Sequence, residues 1–260
     1  MFPTLIRVGD FRLATYGLLV AAGYLASIWY LGRKREKMGL DEAQFWRLVY
    51  WIFFGAILGG KLMYWAVEWR GVISGAVRPI RDFRYGFVFY GGFLGAALVG
   101  VPVARSLKRP YLALADYFAV ALPIGHGIGR LGCLMAGCCA GRPSTLPWAI
   151  RFTNPESLVP AELRGAPLHP VQLYESLGDF AIAAAMVGLV ARIEKGRLSA
   201  GTAALAYVVS YALMRFSTEF FRGDDRGGFL LGLSVSQWIA LASLCAAAAF
   251  WILRGRKVRP

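Results

Sequence analysis

Two hundred and sixty residues would suffice for one or two soluble domains, but the chain is 57% hydrophobic and only 17% charged, with a positive mean hydropathy. That balance excludes a soluble globular surface, a disordered chain and a collagen-like repeat, and four cysteines are too few for a disulfide scaffold. The formal charge of +14 would by itself suit nucleic acid; the basic residues sit mostly in short loops between apolar segments, where they meet anionic lipid headgroups, so no nucleic-acid partner is expected.

Seven apolar stretches of helical length follow one another, at about 13–32, 45–67, 86–104, 111–139, 171–191, 199–221 and 229–253, each long enough for a hydrocarbon core about 30 Å thick. The expected fold is therefore all-α: a polytopic integral membrane protein of about seven transmembrane helices, a single transmembrane domain over 1–260, with 140–170 as an outer connection or small cap. The N-terminal stretch lacks the basic start, short apolar core and cleavage site of a signal peptide and reads as the first helix. Seven crossings put the termini on opposite sides. Fifteen Lys and Arg flank one side and eleven the other, which favours an outside N-terminus and a cytoplasmic C-terminus.

Glycines four apart, Gly55/Gly59, Gly91/Gly95 and Gly125/Gly129, suit close helix packing. Trp29, Tyr30, Trp65 and Trp69 suit an interfacial belt. The fourth stretch is too long for a simple crossing, and its run from Gly125 to Gly132 reads as irregular backbone, tolerated at membrane depth only where it lines protein or a wet cavity. Five prolines between Pro143 and Pro167 leave the 140–170 connection open between an ordered cap and a loop.

Three cations fall inside the stretches: Lys61, Arg130 and Arg215. An ionised side chain at that depth costs about 2.5–3.5 kcal/mol or more, so each needs a counter-charge, a wet cavity or an anionic ligand. Asp116, Glu175, Asp179 and Glu219 are the in-span acids. Tyr211, Arg215 and Glu219 are four apart on one helical face, which predicts an Arg215–Glu219 ion pair, and Arg222 follows one turn later at the outer interface. Gly127 to Gly132 has the letters of a dinucleotide fingerprint, but it lacks the strand–turn–helix context; a glycine-rich segment with an arginine still suits a phosphate. After Pro170, Gln172 and Glu175 project from the first turns of the next stretch, and His169 reads as a capping or packing residue. Cys133, Cys138 and Cys139 lie near His126 without the paired spacing of zinc sites. They are expected to be buried, inert thiols, with a disulfide involving Cys133 as the alternative and no metal or cofactor.

These motifs resemble the prolipoprotein diacylglyceryl transferase family over most of the chain. The carriers are Tyr16-Gly17, the run from Gly55 to Lys61, Tyr90 to Gly95, Gly129-Arg130-Leu131-Gly132, His169 to Glu175, and Tyr211 through Arg222. The resemblance implies a bacterial inner-membrane enzyme that moves a diacylglyceryl group from phosphatidylglycerol to the lipobox cysteine thiol in a prolipoprotein signal peptide, giving a thioether. It assigns Arg130 and Arg215 as the essential arginines, Tyr211 and Glu219 as their supports, and Arg222 as an arginine near the outer opening. Tyr16, Lys61 and Gln172 complete the expected substrate-binding set. Three positions depart from the family pattern: Tyr90 replaces a histidine, Cys133 and Cys138 replace an asparagine and a carboxylate, and Lys61 replaces an arginine. A phenol with a pKa near 10 is a poor proton acceptor, so Tyr90 and His126 both enter the expected catalytic set, His126 as a relocated base. A lipid-binding or transporting protein that lost the chemistry, a relative serving another acceptor, and a thiol or metal protein are the competing readings.

Overall fold

The structure, a computed structural model, describes residues 1–9, 11–83, 86–224 and 230–257, with backbone alone for 254–257. Arg84, Arg226 and Arg259, three of the loop cations, lie outside the described residues, as does the start of the seventh stretch at 229. The elements are a β-hairpin, β1 (Thr4–Val8) and β2 (Phe11–Ala14), then α1 (Thr15–Lys34), α2 (Glu42–Val67), the short α3 (Trp69–Ile73), α4 (Phe89–Ser106), α5 (Tyr111–Ala136), α6 (Val171–Glu194), α7 (Thr202–Glu219) and α8 (Val235–Lys257). Among the described residues, five helices are long and apolar enough to cross a membrane: α1, α2, α5, α6 and, over Val235–Leu253, α8. At 18 residues each, α4 and α7 extend roughly 27 Å at 1.5 Å per residue.

The described chain divides into two compact units, residues 32–114 and residues 1–31 with 115–260. In the first, α2 starts on a capping box in which Asp41 and Gln44 satisfy each other's backbone N–H. It then runs antiparallel to α4 along glycines. A Cβ on Gly55 would press on the Gly95 carbonyl and Val99, and one on Gly59 would strike the Gly91 carbonyl. These glycines permit backbone contact, as their spacing predicts.

In the second unit α5 is the central helix. Its glycine-rich run is continuous α-helix through Ala136, which corrects the expectation of irregular backbone there. Local helix propensity is overridden by packing at three of its four glycines, Gly129 alone facing open space. Gly125 faces Gly23 of α1, Gly127 lies under the Phe180 ring of α6, and Gly132 lies against Tyr16 and Leu19. Two hydroxyls tie the helices further, Ser27 donating to the Ala121 carbonyl at 2.7 Å and Ser176 to the Gly127 carbonyl at 2.9 Å. Asp116, one of the in-span acids, serves a helix end. Gly201 at the start of α7 has no side chain to cap with, and the buried Asp116 carboxylate accepts from the Gly201 N–H at 2.6 Å and the Ala204 N–H at 2.9 Å.

The 140–170 connection is ordered. Isolated bridges pair Gly141 with Arg222 and Leu168 with both Pro143 and Ile150. A small core of Leu134, Ala140, Phe152, Val159 and Leu168 forms beneath them. The β1–β2 hairpin, which the sequence reading left unassigned, is clasped to this connection by Glu156. Its carboxylate takes the Thr4 hydroxyl at 2.7 Å and the Arg7 and Arg12 guanidinium groups at 2.5 and 3.3 Å.

Candidate active site

The two in-span cations of the second unit, Arg130 and Arg215, converge on Glu175. This carboxylate projects from the second turn of α6, where its side chain has no exposed surface. One oxygen, Oε2, takes Nε of Arg130 from α5 at 2.8 Å; the other, Oε1, takes Nη1 of Arg222 at 3.1 Å and faces Nη1 of Arg215 at 3.5 Å. Arg215 also pairs with Glu219 one turn along α7 and donates from Nη2 to the Ser236 hydroxyl of α8 at 3.0 Å. The Thr218 hydroxyl stands 3.4 Å from Glu175 Oε1. Four helices thus supply one buried network, and low dielectric makes each pairing stronger and each unmet partner more costly.

The arginines differ in what they have left to give. Arg222 is buried. It turns its fork on Asp224, with Nε and Nη2 at 2.9 and 2.8 Å, and spends Nη1 on Glu175. Burial disfavours its charge, but the Asp224 hydrogen bonds and the Glu175 charge outweigh that cost and raise its pKa. Arg130 uses only Nε among the described residues and keeps 11% of its side chain exposed. Its two terminal amino groups are the part of the network able to take an anionic ligand.

A second pair stands beside the first. His126 Nδ1 lies 2.7 Å from Asp179 Oδ2, and Asp179 is fully buried one turn beyond Glu175. The His126 ring meets Tyr211 edge-on at 5.6 Å, and Tyr211 meets Tyr207 at 5.8 Å. Gln172 is buried one turn before Glu175 and donates to the Cys138 carbonyl at 2.7 Å.

The structure therefore brings together Arg130, Arg215, Glu219 and Arg222, with His126, Tyr211 and Gln172 on the adjoining turns. Tyr16 is 44% exposed on α1, with its ring against Gly132. Lys61 and Tyr90 belong to the 32–114 unit. Lys61 is buried, donates to the Gly86 carbonyl at 2.7 Å and stands over the Phe83 ring at 4.9 Å, while Tyr90 is half-buried in the first turn of α4. Sequence reasoning named Asp179 only as an in-span acid and assigned no role to Thr218, Asp224 or Ser236. Asp179 carried a usable signal, an acid inside a span four residues after another acid; the other three are ordinary polar residues until the helices are assembled.

A family profile described as Prolipoprotein diacylglyceryl transferase matches residues 3–253. The chain belongs to that family. Among its relatives, the phosphatidylglycerol–prolipoprotein diacylglyceryl transferase of Clostridium tetani is 32% identical, over 94% of each chain. A second enzyme of that name from Clostridium perfringens is 34% identical over 95% of this chain and 94% of its own, and the one from Geobacter sulfurreducens is 32% identical over 99% and 97%. Nearly the whole length is shared, so the chain is a membrane transferase of this family, as its motifs imply.

Proposed function

We propose that this protein transfers the diacylglyceryl group of phosphatidylglycerol to the lipobox cysteine thiol of a prolipoprotein signal peptide. A carbon–sulfur bond forms at the glyceryl carbon, the carbon–oxygen bond to phosphate breaks, and glycerol phosphate leaves with the electron pair. The thiol must lose its proton, and the phosphate must be held while its charge grows.

The observation that carries this reading is the unequal use of the clustered guanidinium groups. Arg130, fixed through Nε by Glu175, offers two amino groups to a phosphate, and Arg215 stands on the other oxygen of the same carboxylate. In this reading Arg222 anchors Glu175, and Glu219 and Tyr211 flank Arg215 and His126. His126 takes the thiol proton, with Asp179 orienting the ring and balancing its charge as it forms. Tyr90, Tyr16, Lys61 and Gln172 are assigned to the catalytic and substrate-binding surface on their motif positions alone.

The same reading takes the protein as one multi-pass domain of the bacterial inner membrane, with seven crossings, the N-terminus and the 140–170 cap outside and the C-terminus in the cytoplasm. The excess of loop cations on one side supports that orientation. The decisive test expresses the chain in a bacterium depleted of its own transferase, with Arg130→Ala and Arg215→Ala as controls. Lipidated lipoproteins return with the unmutated chain and not with either variant. A correctly inserted chain that fails to restore them is a lipid-binding relative or serves another acceptor.

A further inference from the structure

Cys133 lies in the last turn of α5, and Cys138 and Cys139 lie in the turn that follows. The three Sγ atoms all lie within 4.8 Å of one another, and no disulfide joins them. The backbone is bent to achieve this. Gly137 has φ 78° and Cys139 φ 60°. Glycine takes that left-handed conformation freely, whereas a cysteine takes it only where its surroundings impose it, a form of strain that concentrates at functional sites. The surroundings are specific. The buried Gln172 holds the Cys138 carbonyl, Ser157 packs where a Cβ on Gly137 would sit, and Cys138 Sγ approaches the Cys133 carbonyl at 3.8 Å.

We propose that Cys133, Cys138 and Cys139 form a three-thiolate site for a thiophilic metal ion of the Zn2+ class. A zinc–sulfur bond of about 2.3 Å sets three ligating sulfurs roughly 3.8–4.0 Å apart. Thiols already within 4.8 Å close that gap by movements under about 1 Å, within the reach of side-chain torsions. On binding, three S–H bonds break, three metal–sulfur bonds form and three protons pass to solvent. The complex with a divalent ion carries one negative charge. Arg130 interacts electrostatically with Cys133 and Cys139, and Arg222 with Cys139, so the negative complex would have cationic partners. Three sulfur ligands select Zn2+ and Cu(I) over the oxygen-seeking Mg2+ and Ca2+. Cys138 and Cys139 are only partly buried, which gives an ion a way in. The metal would lock the turn joining the Arg130 end of α5 to the Gln172 end of α6.

The test uses the full chain, reduced and purified in detergent under anaerobic conditions and titrated with Zn2+ alone against a chelating indicator. One Zn2+ per chain binds; Cys133→Ser, Cys138→Ser and Cys139→Ser each weaken binding at least about tenfold, and Cys245→Ser, on the exposed thiol of α8, leaves it unchanged. Sub-stoichiometric binding, or binding indifferent to the three serine variants, overturns the proposal. A fold-independent arm labels the unmutated protein with a maleimide and reads the sites by mass spectrometry. Zn2+ protects the three clustered thiols and not Cys245; equal labelling with and without Zn2+, or loss of two hydrogens on handling as a disulfide forms instead, also overturns it. Neither arm reads lipid transfer, so its outcome is separate from that of the proposed function.

Discussion

Arg130 of α5 and Arg215 of α7 reach opposite oxygens of one buried carboxylate, Nε of Arg130 lying 2.8 Å from Glu175 Oε2 and Nη1 of Arg215 lying 3.5 Å from Oε1. With Arg222, three residues past the end of α7, also on Oε1 at 3.1 Å, Glu175 fixes how three cations are arranged. Glu219 and Asp224 supply the remaining counter-charge, so three guanidinium groups are matched by three carboxylates. The network is a charge-balanced support, and it leaves its spare donors on Arg130.

Replacing the pivot therefore does more than remove one bond. Glu175→Gln keeps the shape and deletes the charge, leaving buried guanidinium groups in excess. Breaking a buried ion pair from one side costs about 3–5 kcal/mol. The thermal midpoint of the detergent-purified variant is expected to fall well below that of Glu162→Gln, a change on an exposed residue of the 140–170 connection. Equal midpoints would show that Glu175 is not central to stability.

Arg130→Lys separates charge from geometry. A lysine ammonium can meet Glu175 or a phosphate, but it lacks the planar fork that serves both at once. Removing one preorganised donor from a developing anion costs about 100-fold or more in rate. Transfer to a lipobox peptide in phosphatidylglycerol vesicles, followed by peptide mass, is expected to fall by that order while the variant stays folded. Near-normal turnover would take Arg130 off the phosphate.

Much of this was legible before any coordinates. Apolar stretches of membrane length stand out in sequence, and a charge inside one stands out more, which is why Arg130, Glu175, Arg215 and Glu219 could be named together. Their i,i+4 neighbours on α7 could even be paired. What sequence could not supply is which helices touch. Glu175 becomes a hub only when α5, α6 and α7 meet, and Asp179 finds His126 through the same packing. The run from Gly125 to Gly132 was misread for the same reason. Each glycine costs a helix about 1 kcal/mol locally, but at Gly125, Gly127 and Gly132 contact with Gly23, Phe180 and Tyr16 offsets it, and that contact is not written in the run itself. The hairpin escaped notice because its two strands are short and depend on Glu156, far along the chain.

The His126–Asp179 pair predicts two graded losses. His126→Ala removes the proton acceptor and lowers turnover by about 100-fold or more. Asp179→Asn keeps a polar group beside Nδ1 but no longer balances an imidazolium, so it lowers turnover less and shifts the pH–rate profile. Both follow from the 2.7 Å contact. Unchanged turnover in His126→Ala would pass the role of base to another group, with Tyr90 the next to test by Tyr90→Phe.

In the 32–114 unit, Gly59→Leu probes packing alone. Its Cβ would meet the Gly91 carbonyl and the Gly95 backbone, neither of which can move without separating α2 from α4. Overpacking of this kind costs about 1–3 kcal/mol. A lower thermal midpoint is expected for Gly59→Leu, with little change for Gly188→Ala, where a Cβ on α6 meets open space. Similar midpoints would mean that α2 and α4 are not held by this contact.

The hairpin gives a pH prediction whose sign is fixed by Glu156. The Thr4 hydroxyl first, joined by the Arg7 and Arg12 charges, holds its carboxyl below the usual range against an opposing effect of desolvation that outranks either charge alone. A depressed folded pKa means that the clasp stabilises the hairpin above the unfolded value, about 4.3 for glutamate, and that this contribution disappears as pH falls through the lower folded value. Amide protection of Thr4–Ala14, corrected for intrinsic exchange, is therefore expected to be high near neutrality and to drop in acid. Glu156→Gln cannot titrate: it should show weak protection already at neutral pH and little further change on acidification, whereas protection that tracks pH equally in both proteins would place the sensitivity elsewhere.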